Sequence, residues 1–261
     1  MPTPIIAVST QKGGAGKTTV TLNTAGALAN KGHRIAVVDL DPQGHATEGL
    51  GRDDAYEAQE STLRDVLLGD NVDFASVAVQ AATDDIALVP SHASFASRPR
   101  IESALEDSEQ TERAVRALTR FLNESPADMA LIDCPPSLGA LTDVGLLSSE
   151  RMLIPAKASG TSMRALELLL SKKRALESEF ETNIQPVGVV ANEVRQSGVS
   201  DALLEWLDET FADSIPVWQL RKRVALERAW LNGSTIYSHA EECPHAIEVF
   251  DSIATELEGY L

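Results

Sequence analysis

The sequence predicts an α/β fold, a doubly wound and mostly parallel sheet flanked by helices, and three observations carry that prediction. Short β-branched runs alternate with longer helical stretches along the chain, the pattern of strand–helix–strand units joined by right-handed crossovers. The run Ile35–Leu40 is continuously apolar rather than alternating, as in a strand covered on both faces. A loop rich in glycine and lysine directly follows the first apolar run and opens a helical segment, the place where such sheets bind anions.

In chain order, the first strand is Ile5–Val8, and a helix runs from the glycine-rich loop to about Asn30. Lys31-Gly32 ends it, since glycine readily takes the left-handed conformation past a helix C-terminus. After Ile35–Leu40, strands are expected at Ile86–Val89, Met129–Ile132, Met152–Ile154, Pro186–Ala191 and, briefly, Ile215–Val217. Helical patterns lie near Glu109–Asn123, Ser137–Ser148, Ser162–Phe180, Val199–Phe211 and Ala246–Leu261. Residues 51–85 and 91–110 are polar and irregular and read as surface excursions. With no internal repeat and no low-complexity linker, all 261 residues, 43% of them apolar, are expected to form a single domain over 1–261.

The charge balance excludes a wholly basic nucleic-acid coat: 22 Lys+Arg stand against 39 Asp+Glu, a formal net charge of −17. Only seven of the cations are lysine. An acidic, lysine-poor surface is the chemistry expected of a protein kept hydrated in strong salt, which predicts a halophilic source; the plainer reading is an ordinary acidic protein. Two cysteines, Cys134 and Cys243, cannot build a disulfide framework and point to a reducing compartment. Without an 18-residue apolar run, and with a short polar lead into the first strand, a soluble cytoplasmic protein is expected.

Three clusters carry chemistry. The first is Gln11-Lys12-Gly13-Gly14-Ala15-Gly16-Lys17-Thr18-Thr19. Residues without a Cβ let backbone N–H groups turn inward onto an anion, and the helix N-terminus behind them adds partial positive charge. In such a loop Lys17 reaches the β- and γ-phosphates and the Thr18 hydroxyl is placed to ligate Mg2+. The ordinary pattern asks for glycine where Gln11 stands, and Lys12 is an additional ammonium near the start of the loop. Lys12 either reaches a nucleotide held by a second subunit, neutralising charge on its phosphates, or is a solvated surface lysine.

The second cluster is Val38-Asp39-Leu40-Asp41-Pro42-Gln43-Gly44, at the carboxyl end of the second strand, where ligands bind in open sheets. Asp39 and Asp41 are two apart and on one side of an extended segment. One of them could support a hydrated metal while the other orients or deprotonates an attacking water; a simple Asp-Pro turn is the alternative. The third cluster is Ala130-Leu131-Ile132-Asp133-Cys134-Pro135-Pro136-Ser137, an apolar strand ending in a carboxylate that can bind Mg2+ through water. Cys134 reads as a small buried residue.

At these three clusters the sequence resembles the ParA/Soj family of partitioning ATPases, within the wider deviant Walker-A group of P-loop NTPases that includes MinD. Ile215-Pro216 and Gly233-Ser234-Thr235-Ile236 are similar to the family's later landmarks. The resemblance implies an ATPase that uses ATP and Mg2+ and closes into an ATP-sandwich homodimer. It also implies that the dimer binds DNA non-specifically, joining the nucleoid, until a ParB-like adaptor stimulates weak hydrolysis. Carried over by position, Lys12 acts across the dimer and Lys17 holds phosphate. The loop from Gly13 to Thr19 binds nucleotide, with Thr18 on Mg2+, Asp41 activating water beside the metal, and Asp133 supporting the metal. Asn192 and Pro216 are placed to contact adenine, and Arg195 with Arg221, Lys222 and Arg223 to contact DNA.

The DNA assignment meets a local balance that is not basic. From Arg195 to Arg228 there are five basic residues and six acidic ones, so a DNA face must come from folding and from doubling across a dimer. A MinD-like membrane cycle would need a C-terminal amphipathic helix with Lys or Arg beside its apolar face; Ala246–Leu261 has neither, and its carboxylates would be repelled by an anionic bilayer. A nitrogenase-iron-protein-like reductase would need cluster-ligating cysteines. A non-enzymatic scaffold would lack Asp41. An ATPase of the same type that positions a protein cargo stays open, because cargo choice lies in the adaptor.

Overall fold

The central strands are buried on both faces, which is why they read as unbroken apolar runs. The computed structural model describes residues 2–58, 61–69, 71–82, 85–92, 101, 103–105, 107–211 and 214–261. Its strands are β1 (Ile5–Val8), β2 (Ile35–Asp39), β3 (Val79–Gln80), β4 (Ile86–Val89), β5 (Met129–Asp133), β6 (Arg151–Lys157), β7 (Gln185–Val194) and β8 (Val217–Arg221). They form one sheet in the order β3-β4-β2-β5-β1-β6-β7-β8. All pairings are parallel except that of β3, a two-residue edge strand running antiparallel to β4.

The main helices are α1 (Lys17–Asn30), α2 (His45–Gly49), α3 (Ser108–Asn123), α4 (Ala140–Leu147), α5 (Ser162–Glu179), α6 (Gly198–Phe211), α7 (Val224–Leu231) and α8 (Pro244–Glu258). Successive strand residues face opposite layers. Ala7, Ala36 and Val38 pack with Leu118, Val144, Leu169 and Leu203 from α3 to α6. Ile6, Val8, Ile35 and Val37 pack with Val20 and Leu28 of α1 and Phe250 and Ile253 of α8. The apolar stripe of α8 (Ala246, Val249, Phe250, Ile253, Leu257) is therefore spent inside the second layer.

The excursion at 51–85 is not the polar surface expected. Short helices at Leu63–Leu67 and Phe74–Val77 bury Leu63, Val66, Leu67, Phe74 and Val77 in the first layer. Thr62 and Asp65 form a reciprocal capping box at the first of them, and five residues are too few for a helical period to show. Of the second excursion, residues 93–100, 102 and 106 lie outside the described residues, as does Asp213.

The other differences are shifts of register and length. The last strand is Val217–Arg221 rather than Ile215–Val217, because Pro216 has no N–H to join a ladder and instead accepts the Val189 N–H on its carbonyl at 2.9 Å. The fourth main helix begins at Ala140, three residues later than expected. Helix α7 was not foreseen. At the end of α5, Glu181 takes φ 50° while the Thr182 N–H bonds back to the Glu177 carbonyl at 3.3 Å; this is a Schellman closure, usually made on glycine. Strand β7 bulges at Glu193, where φ is 55° and the register with β8 slips. Both thiols are buried.

Candidate functional site

β1 delivers the chain to the glycine-rich loop, and α1 leaves it at Lys17. Gly16 caps the helix in the left-handed region, φ 90°, and a Cβ there would collide with the side-chain amide of Asn192. The Asn192 amide donates to the Ala15 carbonyl at 3.0 Å, so the end of β7 is pinned to the loop. Lys17 is buried. Desolvation pulls its ammonium below the ordinary lysine range, against the opposing pull of Asp133 and Asp41.

β5 ends on Asp133, paired in register with Asp39 at the end of β2. Asp133 is fully buried and receives the Thr18 hydroxyl at 2.7 Å and the Thr21 hydroxyl at 3.2 Å. Burial raises its carboxyl to about 6, against the stabilising Thr18 bond and the Lys17 charge. β2 stops at Asp39, and the carboxylates of Asp39 and Asp41 take different partners. One oxygen of Asp39 takes both the N–H and the hydroxyl of Thr47, each at 2.7 Å. Burial, with Asp133 adding, pushes the Asp39 carboxyl up to about 8. Asp39 thus anchors α2, and Asp41 is the carboxylate that reaches the cavity. The Asp41 loop is clamped by the Gln43 N–H on its carboxylate at 3.0 Å and by the Tyr56 hydroxyl on the Pro42 carbonyl at 2.9 Å.

The cavity over the loop measures about 590 Å3 and is lined by Gly13, Lys17, Thr18, Thr19 and Asp41 among others. Another wall comes from α7, through Leu226, Glu227, Trp230 and Leu231, which the sequence did not announce. Lys12 is not in that lining. Its ammonium turns to the Ser159 hydroxyl and, at 3.4 Å, to that of Ser162 at the start of α5. Partial burial and the nearby Lys157 charge lower its pKa.

The four cations assigned to DNA do meet. Val194 pairs with Arg221, which brings Arg195 beside the Arg221-Lys222-Arg223 turn, and all four are exposed. Glu193 stands between Lys157 at 3.0 Å and Arg195 at 3.7 Å, and Lys222 has Glu227 at 3.5 Å. Of the two residues assigned to adenine, Asn192 bonds the loop while Pro216 lies away from it. That proline precedes Val217, which is level with Val189, whereas Leu220 is level with Asn192; Pro216 therefore sits at the wrong end of β8 to meet a base beside the loop.

Among the described residues no group of three His, Cys, Asp or Glu could cage a metal. What the site offers is one hydroxyl, Thr18, backed by Asp133, with Asp41 nearby. That sparse oxygen set fits Mg2+, which keeps several waters and is completed by substrate phosphates.

A family model described as an AAA domain matches residues 3–186. The sporulation initiation inhibitor protein Soj of Bacillus subtilis is 30% identical over 267 residues, covering 97% of this chain and 97% of that protein. The chain belongs to the ParA/Soj family of P-loop ATPases. Among solved structures, a variant of Cyanothece McdA in complex with ATP superposes on this ParA/Soj chain with a TM-score of 0.84, covering 98% of it and 96% of the McdA chain; at 21% identity this shows the fold. Cobyrinic acid a,c-diamide synthase from Mycobacterium smegmatis, with bound ADP and magnesium, is 27% identical with a TM-score of 0.71, covering 92% and 96%. The eight-stranded, mostly parallel sheet is the family's architecture, and no helix among the described residues is long and apolar enough to cross a membrane.

Proposed function

We propose that this chain is an ATP- and Mg2+-dependent dimerising ATPase that binds DNA non-specifically and partitions or positions chromosome or plasmid cargo with a ParB-like adaptor. The observation that carries the reading is the split between two lysines of one loop. Lys17 is buried beside Asp133 and Asp41, within reach of phosphates held by the backbone of Gly13 to Thr19. Lys12 stays out of the cavity lining and bonds Ser159 and Ser162 instead, which leaves it to serve the triphosphate of a second subunit.

Within one subunit, the Thr18 hydroxyl, itself held by Asp133, would hold Mg2+. Asp41 orients the attacking water and takes its proton as ATP and water become ADP and phosphate. Bound Mg2+ would supply charge neutralisation across the β- and γ-phosphate oxygens. Asn192 positions the loop on the nucleotide's side. The exposed Arg195 and Arg221–Arg223 cluster supplies phosphate contacts to duplex DNA, and the −17 net charge makes that binding dependent on two copies of the cluster and on salt. In this reading the protein is cytoplasmic and joins the nucleoid when ATP-bound. A membrane cycle run by the last helix is disfavoured, because the apolar residues of α8 are already buried against α1.

The test is ultracentrifugation with Mg2+ and a non-hydrolysable ATP analogue, together with gel shift of random-sequence duplex. Dimers and an ATP-dependent shift are expected for the wild type, loss of dimers for Lys12→Ala, and a weakened shift for Arg223→Glu. A wild type that stays monomeric and shifts no duplex at any salt would overturn the reading.

A further inference from the structure

The basic turn Arg221-Lys222-Arg223 runs straight into α7, with Arg223 as the residue that starts the helix. About two turns later, the side chain of Trp230 ties α7 to the other side of the cavity. The indole N–H of Trp230 donates to the His45 carbonyl at 2.9 Å, the first residue of α2. The same ring meets the imidazole of His45 edge-on, with centroids 6.4 Å apart. It also lies where a Cβ on Gly49 would be, so that only glycine fits beneath it. Helix α2 is the segment that Asp39 anchors through Thr47, and it follows the Asp41–Gly44 turn without a break. An aromatic ring with one N–H donor joins two short helices rigidly because it has few rotatable bonds and buries large area. Leu226 and Ala229 bury the inner face of α7, while Val224 at 66% and Leu231 at 74% stand exposed.

We propose that Trp230 is a positioning residue that couples the basic turn to the Asp41 loop, so that closing the loop on nucleotide also fixes the turn that meets DNA. The inference rests on the functional reading above and deepens it, since it says how the two sites sense one another. By linkage, a coupling of this kind acts in both directions.

Hydrogen–deuterium exchange on the full chain, with and without Mg2+ and a non-hydrolysable ATP analogue, tests it. In the wild type, amides of 41–49 and of 221–231 are expected to slow together. Trp230→Phe keeps the ring and removes the donor, and Gly49→Ala pushes the ring away without touching the catalytic loop. In both variants, protection of 221–231 by the analogue should fall by about fivefold or more relative to that of 41–49 in the same sample. Exchange without nucleotide and the melting temperature serve as controls for a merely structural defect. Unchanged analogue-dependent protection of 221–231 in both variants, or a wild type in which 41–49 responds and 221–231 does not, overturns the coupling. A wild type in which neither segment responds overturns the nucleotide reading itself, and the coupling falls with it.

Discussion

Thr18 and Asp133 are joined by a 2.7 Å hydrogen bond that ties the first turn of α1 to the carboxyl end of β5. A hydroxyl whose proton is held by a buried carboxylate keeps its lone pairs directed at the cavity. Asp133→Asn should weaken Mg2+ affinity by roughly 10–100-fold, as loss of an outer partner of a metal ligand does. A magnesium titration of ATP turnover measures this, and an unshifted midpoint would remove Asp133 from the site.

Asp41 is the carboxylate left free to act after Asp39 is spent on Thr47. Asp41→Ala should lower turnover by about 100- to 10,000-fold, the span of general-base contributions, while dimers persist with ATP bound. Rapid phosphate release by this variant would show that another group activates water.

Asp128 gives a pH signature away from the cavity. Its carboxylate accepts the Arg34 backbone N–H at 2.8 Å and the Arg34 guanidinium at 2.6 Å, which holds it at about 2. The folded value lies below the unfolded one, about 3.9. The stability it contributes is therefore present above about pH 4 and lost as pH falls towards 2. Melting temperatures of wild type and Asp128→Asn should differ at pH 6 and converge below pH 4; a gap that widens on acidification would contradict the sign.

Glu181 closes α5 in the left-handed region, φ 50°, where a side chain is strained and glycine is not. Glu181→Gly is expected to stabilise the fold by about 0.5–1 kcal/mol, less the extra chain entropy that glycine brings to the unfolded state. Denaturant unfolding measures the change, and a loss of stability would mean that the carboxylate holds a contact that outweighs the strain.

Much of the site was legible because its chemistry is local. The loop from Lys12 to Thr19 and the strand ending at Asp133 carry their meaning within a few residues. Asp39 and Asp41 were legible as a pair with a role for each, but the capture of Asp39 by Thr47, eight residues on, shows only in the fold. Trp230 was invisible for a stronger reason: its partner His45 lies 185 positions away, and an eight-residue helix is too short to announce itself by period. Pro216 went astray because its meaning depends on where β8 begins, and the strand starts just after it. Residues 63–77 misled in the opposite direction, since polar flanks hid five side chains that complete a core layer.

The seclusion of the two thiols has a practical consequence. Cys134 is fully shielded, with burial and Asp133 holding its thiol protonated, and Cys243 is 3% exposed. Leu231 stands out from the cavity rim. A cysteine put in its place would be the one sulfur a maleimide dye could readily reach, so the unaltered remainder of the protein could be followed by fluorescence through its nucleotide cycle.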